Sequence, residues 1–166
     1  ELDVRGLHRH EQHDVLGLGA PIIDLILRVD DSFLETIPGE LHGMEPITHE
    51  GMEELIKASG QVPVPVPGGS TSNMLRGLAS FGQKCAVVGK VGERYLKGLQ
   101  ETGVDGWLLE SKTPSTTVLS LVESCGARTM RTYMGASEEL RPDELAPEFF
   151  AGVRLLHVEG YAFYNF

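Results

Sequence analysis

Apolar residues come in short runs separated by glycine, proline and polar clusters, and the runs switch between two periods. Val15-Leu16-Gly17-Leu18-Gly19 and Ile22–Val29 predict successive strands, broken at Gly19-Ala20-Pro21. The second alternates poorly, as a strand covered on both faces does. Asp30–Glu40 reads as a helix and then a turn, with Phe33, Leu34 and Ile37 at helical spacing and Pro38-Gly39 ending it. Helical spacing returns in Glu50–Ala58, through Met52, Leu55 and Ile56. It returns again in Ser70–Phe81, where Met74, Leu75, Leu78 and Phe81 should point inward and Gly82 stops the helix. Between these lies Val62-Pro63-Val64-Pro65-Val66-Pro67, with proline at every second position. That pattern suits an edge strand or extended ribbon and not a central strand.

Farther along, Cys85–Gly89 predicts a strand, followed by Gly92 and a helix near Arg94–Thr102. Thr116–Val122 and Arg128–Met134 flank Glu123-Ser124-Cys125-Gly126-Ala127, a hairpin signal. Pro142–Phe150 should be helical with Pro142 in its first turn, and Val153–Val158 a last strand leading to Gly160-Tyr161. There is no internal repeat and no low-complexity linker. Strands alternating with helices, plus one hairpin, predict an α/β sheet with a small β lobe.

The length of 166 residues suits one domain with a sizeable core, and 41% hydrophobic with 23% charged residues is globular rather than disordered. A formal charge of −10 argues against nucleic acid or an anionic membrane as partner, since both select basic surfaces; an anionic small substrate stays open. No apolar run approaches a membrane span, so a soluble, cytoplasmic protein is expected. An organelle stays open if a targeting segment preceded Glu1. Cys85 and Cys125 read as two reduced thiols. Residues 1–13 are expected to form a solvated polar tail. Its histidines, His8, His10 and His13, have no Cys or acidic cluster at ligand spacing, so no metal site is expected. The domain itself is expected to span 14–166.

Two features carry chemistry. Asp24 stands alone in Ile22-Ile23-Asp24-Leu25-Ile26-Leu27, and an acid in an apolar strand needs a partner or a polar ligand. About fifty residues on, Pro67-Gly68-Gly69-Ser70-Thr71-Ser72-Asn73 opens into the amphipathic helix. Paired glycines let a bound molecule lie against the backbone, and the first N–H groups of the helix point at the same place. Together they suggest a pocket for a small hydroxylated molecule.

Asp24 after a strand, Gly68-Gly69-Ser70-Thr71-Ser72-Asn73 and Gly89-Lys90-Val91-Gly92 resemble the N-terminal half of PfkB/ribokinase-type carbohydrate kinases, the adenosine-kinase-like branch above all. Arg128-Thr129-Met130-Arg131-Thr132-Tyr133-Met134-Gly135-Ala136, then Leu140, then Val158-Glu159-Gly160-Tyr161 continue the pattern, so that the resemblance runs from about Asp14 to the end. It implies a ribokinase-like three-layer sandwich with a small β lid. It also implies transfer of the γ-phosphoryl group of ATP to a hydroxymethyl group of a sugar or nucleoside.

On that resemblance Asp24 accepts hydrogen bonds from neighbouring hydroxyls, Gly68 and Gly69 let the sugar approach the main chain, and Asn73 adds a donor and an acceptor. Read without it, Asp24 caps a turn and Asn73 is an ordinary helix residue. Arg128 stands where the branch has an arginine near the transferred phosphate, and reads equally as a cross-strand surface charge. Met130 shares its face and covers either the substrate ring or the lid core. Arg131 should point the other way, into solvent. Tyr161 stands beside the base in the branch; a buried tyrosine is the plain alternative.

Three departures qualify the implied activity. The chain ends at Phe166, before the half that in the family supplies the catalytic aspartate and most contacts to ATP and Mg2+, so no catalytic residue is expected within it and the fragment alone should be inactive. The loop after Gly92 is short for the family. Ala20 stands where many adenosine-kinase-like members carry Asn. The competing reading is a non-catalytic binding or assembly subunit. The edge at Val62–Pro67 and the hairpin also offer a homodimer contact, and the exposed last strand should make an isolated product associate. A Rossmann-type reading of Gly17-Leu18-Gly19 fails for lack of a third glycine and a following helix.

Overall fold

The computed structural model describes residues 12–92 and 103–163. In chain order these form β1 (Val15–Leu18), β2 (Ile22–Arg28), the single-turn α1 (Asp31–Leu34), β3 (Met44–Pro46), α2 (His49–Ser59), β4 (Val64–Gly68) and α3 (Ser70–Ser80). Then come β5 (Cys85–Gly92), β6 (Asp105–Ser111), β7 (Thr117–Val122), β8 (Arg128–Tyr133), a series of 3₁₀ turns from Gly135 to Phe150, and β9 (Leu155–Val158).

Strands β6-β5-β1-β9, in that order, make a parallel four-stranded sheet, the body. β1 is buried along its length and β5 nearly so, as strands covered on both faces are. On one face Val15, Cys85, Val87 and Val91 pack with Leu75 of α3. On the other, Leu16, Leu18, Ala86, Val88 and Leu109 pack on Phe149 of the 3₁₀ segment. A Cβ on Gly17 would overlap Thr71 Cγ2 and come within 2.8 Å of Leu75 Cδ1. Gly17→Ala is therefore expected to cost about 1–3 kcal/mol, read as a lower urea midpoint at unchanged slope.

Strands β3-β8-β7-β2-β4 form a second, mixed five-stranded sheet, the lobe. One of its faces packs Leu27, Leu119 and Leu121 on Leu34, Ile37 and Met52. α2 starts at Thr48, whose hydroxyl accepts from Gly51 N–H at 3.1 Å, and stops at Gly60 in the left-handed region, φ +65°. β4 is an edge strand, as its alternating prolines require.

Several expectations change. Phe81 does not point inward: it is 83% exposed, because it has left helical geometry where Gly82, φ +83°, turns the chain. Pro142–Phe150 is not one helix but two 3₁₀ turns, Pro142–Glu144 and Pro147–Phe150, since Pro147 has no N–H to continue a ladder. β3 and β6 carry no strand signal of their own; pairing to β8 and β5 makes them strands. His13 is no tail residue. It is buried, its Nε2 lies 2.6 Å from Asp105 Oδ2, and its ring meets Trp107 edge-on at 4.9 Å. His8, His10 and the helix expected near Arg94–Thr102 lie outside the described residues, as does the short loop after Gly92.

Arg131 departs most from its solvated reading. It is 3% exposed, and its guanidinium donates to Pro38 O at 2.7 Å, Met130 O at 2.9 Å and Glu40 O at 3.4 Å, with Glu45 Oε2 at 3.5 Å. The face opposite Met130 is closed by the 38–40 turn, which no strand periodicity reveals.

Candidate functional site

In the body the chain lays β5 and β6 on one side of β1 and β9 on the other, so a crevice opens at the carboxyl end of β1, where open parallel sheets bind ligands. The lobe grows from this point. The chain leaves β1 through Gly19-Ala20-Pro21 and returns through Gly68-Gly69 into α3. The outgoing segment lies tight on β5: a Cβ on Gly89 would be 2.5 Å from Pro21 Cδ and 2.6 Å from Gly19 O.

Asp24 lies in the middle of β2, in register with Val66 of β4 and Val118 of β7. Its carboxylate rests on Gly68, where a Cβ would overlap both its oxygens. Gly69 has a different task. Its φ of +92° suits glycine, and a Cβ there would be 2.8 Å from Ala20 O. Gly68 thus makes room for the acid, and Gly69 for the close passage of the two crossings. Burial pushes the Asp24 carboxyl above its usual range, partly countered by the Arg128 and Arg76 charges. Among the described residues its carboxylate accepts no hydrogen bond, so its lone pairs are open to hydroxyl donors.

Arg76, which no motif marks, stands nearly two turns into α3. It donates to Pro67 O at 3.0 Å and to the side-chain oxygen of Asn73. The signal was its i, i+3 spacing from Asn73, which puts both on one helix face. Asn73 is exposed and its amide oxygen is taken by Arg76, which leaves the NH2 as donor.

On the lobe face that carries Asp24, the alternation of β8 also presents Arg128, Met130 and Thr132. Arg128 is exposed and Met130 half-buried, beside Met44 of β3. A cavity of about 360 Å³ lies between this face and the body, lined by Ala20, Met44, Pro46, Lys90, Thr132 and Tyr161 among others. Tyr161 is 58% exposed, so it is not the buried tyrosine of the plain alternative. Among the described residues the buried hydroxyl of Thr132 has no partner, which leaves it open to a polar atom beside it. Lys90 is held by Glu144 Oε1 at 2.7 Å and Glu139 O at 3.1 Å. Asp24 and Gly68 therefore meet, Gly69 faces Ala20, Asn73 joins this group through Arg76, and Tyr161 belongs to the neighbouring cavity. Arg128 and Met130 share Asp24's face, and the Arg128 charge acts on the Asp24 carboxyl. Among the described residues no group of three or more His, Cys, Asp or Glu side chains is placed to hold a metal, and no helix is long and apolar enough to cross a membrane.

Residues 47–165 match the family model described as pfkB family carbohydrate kinase. No curated protein matches the chain significantly. Among solved structures, adenosine kinase from Sinorhizobium meliloti is 32% identical over 91% of this chain and 48% of its own, with a TM-score of 0.78. A probable sugar kinase protein from Rhizobium etli CFN 42 is 28% identical over 93% of this chain and 48% of its own, at TM-score 0.81. Anopheles gambiae adenosine kinase, solved with P1,P4-di(adenosine-5) tetraphosphate, shares the fold at 21% identity and TM-score 0.79, over 93% of this chain and 50% of its own. The chain spans about half the length of each of these structures.

Proposed function

The chain belongs to the pfkB carbohydrate kinase family, and we propose that it binds the sugar or nucleoside whose hydroxymethyl group receives the γ-phosphoryl group of ATP. The fold is the ribokinase-like sandwich of that family, with the lobe as its lid. The observation that carries the proposal is Asp24, an acid in a half-buried strand with no protein donor among the described residues, seated on a glycine beside the crevice. Two carboxylate oxygens suit two neighbouring hydroxyls of one sugar, and a sugar repays the cost of burying the charge. Asn73 adds an NH2 donor, and Arg128 and Arg76 supply positive potential.

Family membership implies ATP as donor, with a divalent metal. Among the described residues no three His, Cys, Asp or Glu side chains stand together to hold one. We place donor and metal contacts in the part of the relatives' length that this chain does not span, leaving the acceptor to be bound and oriented here. The apolar walls of the cavity at Met44, Pro46, Met134, Leu140 and Tyr161 favour an acceptor with a ring beyond its sugar, which makes a nucleoside the preferred class. Ala20, on the same wall, offers that ring no side-chain hydrogen bond. The outer edge of β4, with Val62 and Val64 exposed, is the proposed contact for a second copy.

The test is phosphorylation of pentoses, hexoses and nucleosides by the full-length protein with ATP and magnesium, followed by phosphorus NMR. A phosphomonoester on a hydroxymethyl carbon is expected; ADP release with no acceptor phosphorylated anywhere in the panel would overturn the reading.

A further inference from the structure

Glu159 follows β9 and is 8% exposed, yet among the described residues it forms no ion pair. Its N–H donates to Leu18 O at 3.0 Å, which carries the β9–β1 pairing one residue past the strand. Its carboxylate then reaches two donors: Oε2 accepts from Ala20 N–H at 3.4 Å, and Oε1 from the Ser70 hydroxyl. These donors belong to different crossings between body and lobe. Ala20 lies where the chain leaves β1, and Ser70 opens α3 where the chain returns from β4. A Cβ on Gly19 would stand 2.7 Å from Glu159 Oε2 and 2.6 Å from Thr71 Oγ1, so the glycine keeps open the slot in which the carboxylate lies. A negative charge also sits favourably at the first turn of the eleven-residue α3.

We propose that Glu159 is a positioning residue that pins both crossings to the end of β9 and so fixes the root on which the lobe turns. Asp24 is four residues beyond Ala20 and rests on Gly68, two residues before Ser70. Its place relative to the first turn of α3 is therefore set by the two segments that Glu159 joins. The kinetic consequence rests on the acceptor-binding reading; the mechanical one does not.

Hydrogen exchange by mass spectrometry on the full-length protein tests the pin. Glu159→Ala should speed exchange across residues 19–22 and 68–73 by about tenfold or more, with β5 and β6 unchanged. Glu159→Gln should stay near wild type. Its amide oxygen can accept from Ala20 N–H while its NH2 donates to a Ser70 hydroxyl that has turned round. Ser70→Ala should loosen 68–73 alone, and it takes the place of Glu159→Ala if that variant does not fold. In turnover, Glu159→Ala should raise the acceptor KM about tenfold with the ATP KM within about twofold, and Glu159→Gln should restore it. Unchanged exchange at both crossings, or acceleration spread evenly through the body, would overturn the pin. If acceptors are phosphorylated while exchange does not move, the pin fails and the kinase reading stands. If no acceptor is phosphorylated, that reading fails and exchange alone decides the pin.

Discussion

Asp24→Ala is expected to raise the acceptor KM by about 10²–10³-fold while the ATP KM changes by less than about twofold. Among the described residues the carboxylate has no protein donor, so its removal should delete contacts made only to the acceptor, and steady-state kinetics with each substrate varied in turn will read the difference. Gly68→Ala should act through the same group, because the new methyl would occupy the space of the Asp24 carboxylate. The double variant should then be no worse than Asp24→Ala alone, a failure of additivity that reports their contact. An acceptor KM unmoved in Asp24→Ala would remove Asp24 from the site.

Proton binding gives the same residue a second signature. Burial raises the Asp24 pKa above its ordinary 3.8, with Arg128 and Arg76 pulling it back. On the proposed reading the acceptor binds the ionised carboxylate, so kcat/KM for the acceptor should fall on the acid side at a pH above the ordinary aspartate value. Arg128→Gln should move that limb to higher pH, since it removes a charge that favours ionisation. The folding contribution has the opposite sense. A raised folded-state pKa means that stability from Asp24 is fully present below its unfolded pKa and lost as pH rises through the folded one. Acid should therefore impair binding before it harms the fold at this residue.

Arg131→Met is expected to destabilise the protein by about 2–4 kcal/mol, because it leaves three backbone carbonyls without their shared donor. For a chain of this size that is a fall in Tm of roughly 5–15 °C, measured by thermal melting monitored by circular dichroism. The loss should be local in its functional effect. The guanidinium holds the 38–40 turn and Glu45 from behind, while Met44 and Pro46, on either side of Glu45, face the cavity. Acceptor KM should therefore rise at temperatures well below the melt. Arg131→Lys should fall between, since one ammonium cannot reproduce a planar fork of donors to Pro38, Glu40 and Met130. A melt within about 2 °C of wild type for Arg131→Met would show that the carbonyls are satisfied in some other way.

Periodicity alone made β1, β2, α2, α3, the hairpin of β7 and β8, and the edge character of β4 legible, because each carries its pairing or burial in its own spacing. The family pattern made Asp24 and Gly68-Gly69 legible as a unit. Elements whose state depends on a distant partner were not. β3 is three residues that become a strand by lying beside β8, and β6 is a strand with polar ends recruited by β5. Arg76, Arg131 and Glu159 escaped for the same reason: each acts on backbone groups that are remote in the sequence or belong to another element.

Local spacing and motif order carry the family, the α/β order and the residues proposed to meet an acceptor. Those depend on local spacing, on the strain that only glycine avoids, and on an acid too costly to bury without a ligand. Tertiary structure decided the rest. It showed that Gly68 serves the Asp24 carboxylate, that an arginine expected in water is the support behind the β3 wall, and that a glutamate after the last strand joins both roots of the lobe. The Glu159 to Ala20 hydrogen bond joins residues 139 apart, and no periodicity within either segment encodes it.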